Sequence, residues 1–97
     1  MAIEKTQKEF DKLYKDCIEA WGERTQLRQA QEECAELIIA INHFCRNRKT
    51  GLEEIIEEAA DVFLMVNQVI EIVGRDKVMA VASYKVDRTN KLLKGDK

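Results

Sequence analysis

Gln31-Glu32-Glu33-Cys34-Ala35-Glu36-Leu37-Ile38-Ile39-Ala40-Ile41-Asn42 and, twenty-five residues further on, Ile56-Glu57-Glu58-Ala59-Ala60-Asp61-Val62-Phe63-Leu64-Met65-Val66-Asn67 carry one pattern. Each reads Glu-Glu, a small residue, Ala, an acid, five apolar residues and Asn. Neither contains glycine or proline, and the apolar positions continue at helical spacing on both sides. Chance likeness between two helices accounts for the apolar part. It accounts less well for the matched acids.

Outward from this repeat the rest of the chain is also helical. Phe10, Leu13, Tyr14, Cys17, Ile18 and Trp21 recur at steps of three and four in a first helix. A second helix, from about Gln26 to Asn47, carries Ala30, Cys34, Leu37, Ile38, Ile41, Phe44 and Cys45. A third starts near Leu52 and is apolar over a wide arc, from Ile55 through Val62, Phe63, Val66, Val69 and Ile70 to Val73. A fourth shows Val78, Val81, Ala82, Val86, Leu92 and Leu93. Gly22, Gly51, Gly74 and Gly95 fall near the segment ends, where helices often finish on a left-handed residue. Proline is absent. Four amphipathic helices with short connections predict an all-α, antiparallel four-helix bundle in one domain over 1–97. The breadth of the third apolar arc predicts burial on two sides, as at a dimer interface.

Composition bounds the function. With 18 acidic and 16 basic side chains the formal net charge is −2, so a general nucleic-acid or membrane-surface binder is not expected. No apolar run is long enough to span a bilayer. The N-terminus, Met1-Ala2-Ile3-Glu4-Lys5, lacks the apolar core of a signal peptide. A cytoplasmic protein is therefore expected. Cys17, Cys34 and Cys45 have no CxxC spacing and sit on apolar faces, so they read as buried thiols rather than a disulfide or zinc set.

The acids carry the chemistry. At about 100° per residue, Glu33 and Glu36 share one edge of the second helix's apolar arc, and Glu58 and Asp61 occupy the same positions on the third. Two facing helices then aim four carboxylates at one spot. As plain surface charge these acids lack partners. Leu37, Ala40, Val62 and Met65 follow them by four residues, while Glu32, Glu54 and Glu57 precede Glu36, Glu58 and Asp61 by four. A helix ion pair contributes roughly 0.2–0.5 kcal/mol. Two carboxylates about 6 Å apart repel by roughly 3 kcal/mol at an effective dielectric of about 20. Several such pairs rival the whole stability of a small domain, so a cation is expected among them. An all-oxygen donor set suits Mg²⁺, Mn²⁺ or Ca²⁺. His43, seven residues beyond Glu36, lies outside the motif and reads as a helix-surface or outer-shell residue.

The fourth helix places Lys85 in the middle of its apolar stripe, with Arg88 on the border of the same face. Lys85 either snorkels to solvent along its stem or, with Arg88, reaches into the bundle to hold phosphate oxygens. The polar pocket implied by the acids favours the second.

Glu32-Glu33-Cys34-Ala35-Glu36 and Glu58-Ala59-Ala60-Asp61, with Trp21-Gly22, Gln26, Lys85 and Arg88, resemble the MazG-like branch of the all-α nucleoside triphosphate pyrophosphohydrolases. The resemblance implies a homodimer or homotetramer in which Glu33, Glu36, Glu58 and Asp61 bind Mg²⁺, with Mn²⁺ as an alternative. It also implies hydrolysis of (deoxy)nucleoside triphosphates to the monophosphate and pyrophosphate, in nucleotide-pool house-cleaning. Glu36 then orients the attacking water and Glu32 supports it. Lys85, Arg88, Trp21 and Gln26 are the candidate substrate contacts. For Trp21 a place in the core is favoured over stacking on the base, and for Gln26 a hydrogen bond to the base and a plain place near the helix start stand level. Two other readings remain. One is a sister enzyme, a dimeric dUTPase or a phosphoribosyl-ATP pyrophosphohydrolase. The other is a metal-stabilised helical interaction module without catalysis.

Overall fold

The computed structural model describes residues 3–47 and 51–95. Those residues form four helices and no strand: α1 (Gln7–Trp21), α2 (Glu23–Arg46), α3 (Leu52–Val73) and α4 (Arg75–Leu93). Thr6 starts α1, its hydroxyl accepting the Glu9 backbone N–H at 3.2 Å. A cap of this kind contributes about 1 kcal/mol.

Two connections are a single glycine. Gly22 (φ 91°, ψ 153°) and Gly74 (φ 114°, ψ 110°) each end one helix and begin the next. Both lie beyond the left-handed helical well, in backbone space that side chains with a Cβ essentially never occupy. This is why α2 begins at Glu23 rather than near Gln26: a one-residue corner leaves no loop to fill.

α2 and α3 run antiparallel. His43 Nδ1 lies 3.2 Å from Glu54 at the loop end, and Gln26 bonds Gln68 at the far end. α1 packs against both helices. Phe10 meets Phe63 edge-to-face with ring centroids 5.9 Å apart, and Tyr14 is fully buried. The apolar core is small: Tyr14, Ala30, Ala40 and Met65 are its buried residues, joined by the polar Gln26 and Gln68.

α4 packs on α3 alone and buries none of its residues. The expected bundle is thus a three-helix unit with a fourth helix resting against one of its members. The radius of gyration is 16.4 Å, against about 12.5 Å for a compact chain of this length.

Ile56, Phe63, Val66 and Val73 of α3 are exposed within the single chain. Two expectations are corrected. Trp21 is not core: it ends α1 at the Gly22 corner and is 62% exposed. The cysteines are not buried as a set. Cys17 and Cys34 are half-buried, and Cys45, in the last turn of α2, is exposed. No described helix is long and apolar enough to cross a membrane.

Candidate metal centre and cleft

The α2–α3 seam brings the two acid motifs together. One carboxylate oxygen from each of Glu33, Glu58 and Asp61 lies within 4.8 Å of the others. Glu33 and Glu58 are half-buried and Asp61 is exposed. Antiparallel packing explains the convergence: the Glu-Glu-x-x-acid stretch of α2 descends past that of α3, so each helix's first acid faces the other's second.

Glu36 lies outside that group and is exposed, one turn along α2. Its charge still acts on Glu58. Partial burial comes first, and the negative charges of Asp61, Glu33, Glu36 and Glu57 add to it. Together they hold the Glu58 carboxyl above its usual value. Among the described residues no lysine, arginine or histidine pairs with any acid of the cluster. Glu33 has one neutral donor, Gln29 Nε2 at 2.9 Å. The donor set is oxygen only, negatively charged and short of protein cations. It fits a hard divalent ion such as Mg²⁺ or Mn²⁺.

Glu33 and Asp61 also form one end of a cleft of about 350 Å³, within the range of ligand pockets. Trp21, Leu13, Cys17, Leu64 and Met65 line its sides, with Thr25 and Gln29 beside them, and Gln26 and Gln68 lie at its other end. Burial pushes the Cys17 thiol up, with help from Asp16, so the sulfur is a neutral wall group rather than a nucleophile.

Of the residues singled out from sequence, the structure joins Glu33, Glu58, Asp61, Trp21 and Gln26 in one continuous region, with Glu36 at its edge. Glu32 is exposed on α2, and Arg28, four residues before it, makes no ion pair with it. Lys85 and Arg88 are exposed on α4 and do not line the cleft. Lys85 borders a separate apolar groove with Val73, Lys77, Val78, Val81 and Ala82. His43 is a surface residue, as expected.

Sequence reasoning missed Gln29 and Gln68. Both had a signal. Gln29 precedes Glu33 by four residues, a helix-neighbour spacing. Gln68 is a polar residue seven after Asp61, inside the apolar arc of α3. No family model, curated protein or solved structure matches this chain.

Proposed function

We propose that this protein is a metal-dependent pyrophosphohydrolase that cleaves nucleoside or deoxynucleoside triphosphates to the monophosphate and pyrophosphate, acting as a homo-oligomer in nucleotide-pool house-cleaning. The observation that carries this reading is the convergence of Glu33, Glu58 and Asp61 at one end of a ligand-sized cleft, without a protein cation to offset them. Surface acids repel and spread apart. Here two helices hold them together, and the Glu58 carboxyl is raised by partial burial first and then by its acidic neighbours.

Glu33, Glu58 and Asp61 would hold Mg²⁺ or Mn²⁺, with Glu36 completing the set. Bound there, the ion supplies charge neutralisation for phosphate oxygens and acidifies a coordinated water. The chain's own residues do the rest. Glu36, exposed at the edge of the cluster, takes the proton of the attacking water. Gln29 fixes the Glu33 carboxylate by its hydrogen bond. Trp21 and Leu64 wall the cleft. No covalent nucleophile is required, because phosphoryl chemistry rests on positioning and charge.

The homo-oligomer is supported by α4. Val81, Val86, Leu92 and Leu93 are each more than half exposed, and an apolar face of this extent on one helix marks an interaction surface. A second copy covering it brings Lys85 and Arg88 to a triphosphate as paired cations, which they do not supply to the cleft of their own chain.

The test is pyrophosphate release from ribo- and deoxyribonucleoside triphosphates with Mg²⁺, beside Glu36→Gln. Release that needs metal and is lost in the variant supports the reading. If no triphosphate is cleaved while Mg²⁺ still raises the melting temperature, the centre is structural and the protein is a helical interaction module.

A further inference from the structure

Gln26 and Gln68 are the two buried polar side chains of the described structure, 4% and 3% exposed. They bond each other across the α2–α3 seam, Gln26 Nε2 donating to Gln68 Oε1 at 2.7 Å. Each amide has a second half that the fold leaves poorly used. Gln26 Oε1 accepts from no described residue. Gln68 Nε2 meets only the Met65 sulfur at 3.7 Å, a weak acceptor. Both residues line the cleft. Gln26 Oε1 is not a buried orphan and so opens on the cleft, and an α2–α3 seam built for packing alone would carry Leu or Met at both positions.

Register places the pair. Gln26 lies seven residues before Glu33 on α2, and Gln68 lies seven after Asp61 on the antiparallel α3. Seven residues are two helical turns, about 10 Å along the axis. The amide pair and the acid cluster therefore sit on one seam, two turns apart, at opposite ends of one cleft. That separation is comparable to the reach of a nucleoside from its base edge to its 5′-phosphate.

We propose that Gln26 and Gln68 form a paired amide reader for the nucleobase, presenting one acceptor and one donor to a planar ring that carries an adjacent donor and acceptor on its edge. This rests on the nucleotide reading above and adds which residues recognise the base. Gln26 Oε1 accepts from a ring N–H or exocyclic amino group, and Gln68 Nε2 donates to the neighbouring carbonyl or ring nitrogen. Turning both amides over exchanges the roles and still leaves one carbonyl and one amino group facing the cleft. Trp21, on the cleft wall, offers a ring face beside the base.

Trp21 is the only tryptophan of the chain, so its fluorescence reports the cleft without requiring turnover. Full-length protein is titrated with the 5′-monophosphates of adenosine, cytidine, guanosine and uridine, and with ribose 5-phosphate as a base-free control. The wild type is expected to rank the bases. Gln26→Met and Gln68→Met should each weaken the favoured monophosphate about tenfold or more and leave ribose 5-phosphate unchanged. Gln26→Glu keeps the inter-helix bond, now donated by Gln68, and turns the cleft end into acceptors only. It should move the ranking towards guanosine, whose ring N–H and exocyclic amino group are two adjacent donors, and away from bases with one donor beside an acceptor, and it decides the matter if the Met variants do not fold. Unchanged ranking in folded variants, or a wild type that binds no monophosphate better than ribose 5-phosphate, overturns the reader and leaves a plain helix clamp. Base ranking without triphosphate cleavage keeps the reader while the hydrolase reading falls. Cleavage with a ranking indifferent to both glutamines does the reverse.

Discussion

The α2–α3 seam and α4 each present apolar residues at helical spacing and end up in opposite situations. Along the seam, Ala30, Ala40 and Met65 are buried, two glutamines bond, and three acids converge. α4 touches one helix and buries nothing. The seam is complete within one chain because its two helices are long, antiparallel and joined by a short connection. α4 leaves the Gly74 corner along α3, and its Val81, Val86, Leu92 and Leu93 find no facing surface. One region is complete within a single chain, and the other leaves an apolar face exposed.

The largest expected effect lies on the seam. Glu36→Gln should lower pyrophosphate release at least about hundredfold with the helical circular-dichroism signal intact, since general acid–base help is worth about 10²–10⁴. A variant with wild-type turnover would remove Glu36 from the chemistry and leave the three clustered acids alone.

Next comes α4. Val81→Asp should convert the proposed homo-oligomer to a monomer of 11.2 kDa by light scattering, because an unpaired charge in an apolar face that a second copy covers is costly. Lys85→Ala should reduce turnover while keeping the mass of the assembly. If Val81→Asp leaves both mass and activity unchanged, α4 is a free surface and the contrast with the seam disappears.

A smaller effect concerns pH. The Glu58 carboxyl is raised in the folded state by partial burial, then by Asp61, Glu33, Glu36 and Glu57. Above its unfolded value the folded chain therefore holds more protons than the unfolded one, and stability falls as pH rises through the folded value. Without metal, the melting temperature should rise on acidification through the carboxylate range, until other groups titrate. Glu58→Gln should raise the metal-free melting temperature at neutral pH and abolish the response to Mg²⁺. If the cluster binds Mg²⁺ as proposed, the ion at about 100 times its Kd should stabilise the wild type by about 2.7 kcal/mol. A metal-free melting curve indifferent to Glu58→Gln would show the cluster to be relaxed in solution.

The smallest effect is in the core. The Tyr14 hydroxyl is buried without a hydrogen-bond partner among the described residues, and burial is the first cause of its raised pKa. Tyr14→Phe should leave stability unchanged or raise it by up to about 1 kcal/mol in chemical denaturation. A marked loss would mean that the hydroxyl holds a bridging water.

Much of the candidate site was legible because helical periodicity fixes which residues share a face. Glu33, Glu58 and Asp61 were placed by their offset in a repeat, and an antiparallel pair of equal motifs has few ways to be assembled. Glu36 was expected beside them and sits at the edge, exposed one turn along α2. Gln68 escaped notice because its partner, Gln26, is forty-two residues away, and an isolated polar residue in an apolar arc does not announce a pairing. Trp21 was misplaced for a related reason. It continues the apolar stripe of α1, yet the Gly22 corner ends that helix where nothing covers the indole.

By itself the sequence determined the four helices, the positions of their glycine corners and the face on which the acids lie, since these follow from local propensity and spacing. Only the tertiary structure decided that α1 packs against the α2–α3 pair, that α4 stands apart from the acid cluster, and that two distant glutamines meet at the end of the cleft. Those outcomes depend on crossing angle and on the direction in which one-residue corners release the chain, which no periodicity encodes.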